Sequence, residues 1–347
     1  MMGLRAWTAA LLGALMLAMP AFAQAPVEGV FTITNFRFHT GETLPQLKVR
    51  YVTLGSLKNP AVLVLHGTGG SAENMLSPGF GGALFGPGQP LDAATHYIVI
   101  PDAIGHGGSS KPSDGLRMKF PAYDYADMIE AQHRLLTEHL HVGRLKLVLG
   151  NSMGGMETWL WGQIWPDYMD NLVPLASQPI PVAGRNWITR RMVMDMIKSD
   201  PEWKGGNYTR QPKGLAMATT YFGLLTSGGL RNVYAAMPNQ GAADRVLDAG
   251  FEGRGGDAND TLYQFNASRD FDPVPGLGKI KARLLAINSA DDERNPPEIG
   301  VMETNIAKVK NGRFYIIPQS ARTRGHGTTG GDASLFARQL GDFLAGK

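Results

Sequence analysis

The chain predicts an α/β fold with a mostly parallel sheet buried on both faces and flanked by helices. Three observations carry this. Six apolar runs of strand length follow one another: AVLVLH (61–66), HYIVIP (96–101), LKLVLG (145–150), LVPLAS (172–177), RLLAIN (283–288) and RFYIIP (313–318). Their apolar residues run continuously instead of alternating, which suits parallel strands covered on both sides. Segments of helical period separate them, and strand–helix alternation of this kind builds an open α/β sheet. Composition agrees: 43% hydrophobic and 18% charged residues describe a globular chain with a sizeable core.

Taken in order, the first 23 residues have the layout of a secretory signal peptide. Arg5 supplies the positive start, TAALLGALMLAMP the apolar run, and Ala21-Phe22-Ala23 a small-residue cleavage site before Gln24. Cleavage after Ala23 predicts a periplasmic or secreted protein, with no stable membrane insertion once the segment is gone. FTITNFRF and LKVRYVTLG then flank a glycine-containing turn and read as an antiparallel hairpin. YADMIEAQHRLLTEHL places Met128, Ile129, Leu135 and Leu136 near helical spacing.

From about 178 to 280 the rhythm breaks. Met, Arg, Trp and Gly dominate, WITRRMVMDMIKSD and AMATTYFGLL have helical character, and GFEGRGGDAND reads as a loop. The expectation is a mainly helical cap over 178–280, inserted into a core made of 24–177 and 281–347. Asp332 is placed to cap a last helix, ASLFARQLGDFLA, whose Leu335, Phe336, Leu340, Phe343 and Leu344 share a face.

Several function classes are excluded at this level. With no cysteine there is no disulfide, thiol nucleophile or thiolate metal site. A formal charge of +3 without a Lys/Arg run does not argue for nucleic acid.

The chemistry gathers at the ends of the predicted strands. LVLGNSMGGMETWLW (147–161) contains G-x-S-x-G at Gly150, Ser152 and Gly154, between an apolar strand and a helix. That is the pattern of a strained turn that holds a serine hydroxyl out for attack. Such a serine needs a base to take its proton and an acid to orient the base. SADDERNPPE follows the next-to-last strand and QSARTRGHG the last, so a carboxylate and His326 come in the required order. His326 is the only one of the eight histidines on the C-terminal side of Ser152. Asp291 and Asp292 both compete for the acid; D-x-x-x-P spacing to Pro296 puts Asp292 first. Acyl transfer places negative charge on the former carbonyl oxygen, and two backbone amides are expected to meet it. These are Met153, just after the nucleophile, and Thr68 (ahead of Gly67) in the loop HGTGG.

Other groups have structural readings. His66 at a strand end suits a buried hydrogen bond, and Asp102 and His106 suit loop scaffolding. His133, His139 and His141 lie around one helix end, where cations are favourable. Trp159, Trp161 and Trp165 suit core packing. Met192, Met194, Met196 and Trp187 fit either cap packing or an apolar acyl pocket.

With these residues in view, the chain resembles the α/β-hydrolase superfamily and, within it, the homoserine O-acetyltransferase-like group. TLPQLKVRYVTLGSL is similar to that group's opening segment and NSMGGMETWLW to its nucleophile region. SDPEWKGGNYTRQPKGLAMA and DANDTLYQFNASRDFD are similar to its cap segments, and DDERNPPE and GHG stand where the group has its acid and histidine. The resemblance implies a Ser152–His326–Asp292 triad, again selecting Asp292, and makes a homodimer an expectation. Thr219 stands where the group's acetyltransferases carry an arginine, and PDAIGHGGSSKP is closer to plain hydrolases. The leading expectation is therefore an exported serine hydrolase that cleaves an ester-type acyl bond in a small molecule, needing no cofactor or metal. An acyltransferase passing the acyl group to an alcohol is the first alternative, and an inactive binding protein the second.

Overall fold

The computed structural model describes residues 25–347 apart from Ser227 and Arg254. The expected signal peptide lies outside these residues. Among the described residues, eight strands form one sheet: β1 (Val27–Arg37), β2 (Thr43–Leu54), β3 (Ala61–Leu65), β4 (Tyr97–Pro101), β5 (Leu145–Asn151), β6 (Asn171–Leu175), β7 (Arg283–Ser289) and β8 (Gly312–Ile317). Their spatial order is β1-β2-β4-β3-β5-β6-β7-β8. β1 and β2 pair antiparallel, as does β2 with β4, and every later neighbour is parallel.

The continuous apolar runs have the expected cause. Every residue of β3, β4 and β6 is buried. Along β3 the side chains alternate, Leu63 and Leu65 packing into one core cluster and Val62 and Val64 into the other. Each such side chain contributes about 1.5–3 kcal/mol on burial, so the central strands form a firm floor for the loops at their C-terminal ends.

The principal helices are α1 (Tyr125–Arg134), α2 (Met153–Ile164), α3 (Gly184–Ser199), α4 (Lys213–Thr226), α5 (Leu230–Ala236), α6 (Gln240–Gly253), α7 (Ala258–Asn266) and α8 (Ala337–Leu344). α1 starts at a reciprocal cap in which Asp124 accepts from the Asp127 amide at 2.9 Å and Asp127 from the Asp124 amide at 3.1 Å. The His39 ring pairs with Asp127 at 2.6 Å, tying the β1–β2 hairpin to this helix. α2 brings Trp159 and Trp161 into the core, fully buried, and His133 stacks on Trp165 with centroids 3.8 Å apart.

α3 to α7 lie between β6 and β7 and have an apolar cluster of their own, built on Val193, Met194, Ile197, Leu215, Phe222 and Leu262. Two expectations need correction here. Much of the glycine-rich loop is helical: Gly250 to Gly253 finish α6 and Ala258 starts α7, so only a short connection remains. Asp332 does not cap the final helix with its side chain. A 3-10 turn at Ala333–Leu335 intervenes, α8 begins at Ala337, and the Asp332 carboxylate accepts from Arg322 at 2.6 Å instead.

Candidate active site

The loops after β3, β5, β7 and β8 meet at the C-terminal edge of the sheet. At the end of β5 the chain turns abruptly into α2, and Ser152 sits in the turn with φ 58° and ψ −109°. A non-glycine residue there is strained, and the surroundings must hold it. They do so through hydrogen bonds and close packing. The Ser152 amide donates to the Leu175 carbonyl at 2.9 Å and the Gly154 amide to the His66 carbonyl at 3.0 Å. A Cβ at Gly150 would lie 2.0 Å from the Gly154 carbonyl oxygen, and one at Gly154 would lie 2.4 Å from that of Leu65. Both glycines of the motif are thus required by the approach of backbone to backbone.

The Ser152 hydroxyl oxygen is 2.8 Å from Nε2 of His326, and both residues are buried. Nδ1 of His326 lies 3.0 Å from each carboxylate oxygen of Asp292. A buried carboxylate can only accept, so Nδ1 carries the proton and Nε2 is free to accept from the serine. Asp292 also accepts from the amides of Arg294 at 2.9 Å and Asn295 at 3.1 Å and from the Asn295 side chain at 3.0 Å. Asp291 points elsewhere, accepting from the Ser289 and Thr323 hydroxyls at 2.5 and 2.9 Å. Glu293 accepts from the His326 amide at 3.3 Å.

Electrostatics match this arrangement. Burial outweighs the attraction of Asp292 and sets the His326 imidazole below its ordinary value, so the ring is neutral near pH 7. For Asp292 burial acts upward, but the neighbouring His326 and the hydrogen bonds from Asn295 and Arg294 prevail and hold the carboxyl below the usual range.

The loop after β3 turns tightly, with the Gly70 amide donating to the Gly67 carbonyl at 2.9 Å and Gly69 at φ 72°. A Cβ at Gly67 would stand 3.4 Å from the Ser152 Cβ, so this turn packs directly against the serine. Neither the Thr68 nor the Met153 amide has an acceptor among the described residues. Met153 is the first residue of α2, where amides have no partner within the helix.

The residues given structural readings hold the frame. His66 accepts at Nε2 from the Ala103 amide at 3.0 Å, and Asp102 accepts from the amides of Ala72 at 2.7 Å and Gly108 at 2.9 Å. His106 is buried, and its Nδ1 lies 2.9 Å from the Ile104 carbonyl.

A cavity of about 850 Å³ opens beside the site, between the start of α3, the end of α4, the first turn of α5, and the loop after β7. Asn186, Leu225, Asp292 and Arg294 line it, whereas Ser152 and His326 do not. It therefore borders the Asp292 side of the site. Met192, Met194, Met196 and Trp187 are absent from its wall; Met194 packs in the helical cluster, and Arg269 stacks over Trp187 at 4.9 Å.

Asn295 had no place in the sequence reading. Its side chain donates to Asp292 and, at 2.9 Å, to the Ala176 carbonyl, linking the acid to the end of β6. An asparagine three residues after the aspartate was the available signal.

The family described as the alpha/beta hydrolase fold matches residues 60–322. The chain belongs to that family. Within it, a probable acyltransferase of Methanothermobacter thermautotrophicus is 29% identical over 277 residues, 78% of this chain and 84% of that protein. A homoserine O-acetyltransferase of Leptospira biflexa is 29% identical over 311 residues, covering 77% and 80%. Among solved hydrolase-fold structures, the acetyl esterase MekB superposes with a TM-score of 0.79 at 22% identity, covering 92% of this chain and 97% of that one. The resemblance to the homoserine O-acetyltransferase-like group noted in the motifs thus extends over most of the chain.

Proposed function

We propose that this protein is an exported serine hydrolase that cleaves an ester-type acyl bond in a small molecule through an acyl-enzyme on Ser152. The observation that carries the reading is the 2.8 Å contact between a serine in a strained strand-to-helix turn and a neutral histidine backed by Asp292. In the first half-reaction the Ser152 oxygen bonds to the carbonyl carbon while its proton passes to Nε2 of His326. The carbonyl electron pair moves onto oxygen, where the Met153 and Thr68 amides receive the charge. Collapse expels the alcohol, which takes the proton from His326. Water then repeats the sequence on the ester of Ser152 and releases the acid. Asp292 keeps the imidazole in the right tautomer and stabilises its transient positive charge. The helices between β6 and β7 serve as the cap that shapes the pocket.

Transfer of the acyl group to an alcohol is the second reading, favoured by the names of the two relatives and by the burial of Ser152 and His326. One experiment separates the two. The mature protein is given p-nitrophenyl acetate with and without a short alcohol, and the products are quantified. Hydrolysis predicts acetate as the main product in both; an acetyl ester that dominates with alcohol present supports transfer instead. Absence of turnover with any activated ester contradicts both.

The reaction requires His326 neutral, so activity is lost as pH falls through its ionisation. Because burial moves that ionisation below 6.5, kcat/KM is expected to stay level at neutral pH and to fall along one acid limb whose midpoint lies under 6.5. A midpoint at or above the free-imidazole value contradicts a desolvated base.

A further inference from the structure

Thr68 carries one feature that the mechanism above leaves unused. Its hydroxyl oxygen is buried and has no hydrogen-bond partner among the described residues. Leaving a buried hydroxyl unpaired is destabilising, so a partner is to be sought. The position says where. Thr68 follows Gly67, where an added Cβ would stand 3.4 Å from that of Ser152, in a turn closed by the Gly67–Gly70 hydrogen bond. That turn cannot drift. The His66 carbonyl is bound by the Gly154 amide, and the His66 ring by the Ala103 amide. Thr68 therefore presents two donors of different kinds beside the nucleophile, an amide and a rotatable hydroxyl, neither with a partner among the described residues.

We propose that the Thr68 side-chain hydroxyl donates a third hydrogen bond to the tetrahedral oxyanion, alongside the Met153 and Thr68 amides. The inference rests on Ser152 being the nucleophile. No proton is transferred by Thr68; its hydrogen bond strengthens as the carbonyl oxygen gains charge, and it acts on kcat more than on KM.

Two substitutions in the mature protein test this. Thr68→Val keeps the β-branched shape and removes the donor, whereas Thr68→Ser keeps the donor. With p-nitrophenyl acetate, Thr68→Val is expected to lower kcat about 10- to 100-fold with KM changed less than about twofold. It should weaken a boronic acid that forms a tetrahedral adduct by a similar factor. Thr68→Ser should retain most of both. The Val variant should melt no lower than the wild type, because it loses a buried polar atom that has no partner among the described residues. A Val variant with wild-type kcat overturns the proposal. So does a Ser variant as slow as Val, or a Val variant whose loss comes with a lower melting temperature, since packing or a bridging water then explains the hydroxyl. Fluorophosphonate labelling of Ser152 separates this failure from that of the parent reading. An enzyme whose Ser152 labels but whose Val variant is unimpaired loses only the Thr68 role.

Discussion

Replacing Ser152 with alanine is expected to reduce ester turnover by about 10⁴-fold or more while the protein still folds. The magnitude follows from the division of labour. Without the hydroxyl no acyl-enzyme forms, and His326 and Asp292 have nothing to activate. On the proposed mechanism, what would remain is water attacking an ester polarised by the amides of Thr68 and Met153. The fold should survive because alanine, like serine, carries a Cβ at φ 58°, so the strain of the turn is unchanged. Among the described residues, the hydroxyl itself contributes one hydrogen bond, to His326. Melting temperature and kcat/KM measured on the same preparation check both halves. A variant that retains a tenth of the activity contradicts the role of Ser152, and one that fails to fold contradicts the account of the turn.

The second large effect is expected at Asp292→Asn, with a fall in kcat of about 10⁴-fold. Asparagine fills the same space, but its amide group can donate to Nδ1 of His326. The imidazole proton then moves to Nε2, and the nitrogen facing Ser152 can no longer accept the serine proton. The neighbouring donors reinforce the change: the Arg294 and Asn295 backbone amides both donate to one carboxylate oxygen. They favour the asparagine oxygen at that position, which leaves its nitrogen at the other, also 3.0 Å from Nδ1. Asp291→Asn is the control, since Asp291 contacts Ser289 and Thr323 and not the imidazole. Comparable losses in the two variants would contradict the assignment.

How far these features were legible in the sequence depends on what each one rests upon. The sheet was readable because parallel strands buried on both faces leave a continuous apolar signature, and β3, β4 and β6 are buried at every residue. The turn at Ser152 was readable because Gly150 and Gly154 are demanded by backbone contacts within a few residues of chain. Asp292 and His326 could be ranked because chain order on such a sheet limits which loops reach the serine. The support behind them was not. Asn295 joins the acid to Ala176, 119 residues away in sequence, and no local pattern announces a contact that long. The helical cluster between β6 and β7 was visible only as a change of composition. Its helices pack chiefly on one another, and the glycines near 250 gave a false signal of loop where α6 still continues. Asp332 misled for a related reason: capping residues mark a helix start only when no other partner competes, and Arg322 holds its carboxylate.

The central claim is that Ser152 becomes acylated, and the most direct measurement is to catch it. The protein is treated with one equivalent of a fluorophosphonate, then analysed by intact mass and peptide mapping, beside Ser152→Ala and Asp292→Asn. The account predicts a single adduct on the peptide carrying Ser152, loss of esterase activity in proportion to labelling, slow labelling in Asp292→Asn and none in Ser152→Ala. An adduct on another residue, or equal labelling of wild type and Ser152→Ala, would contradict it.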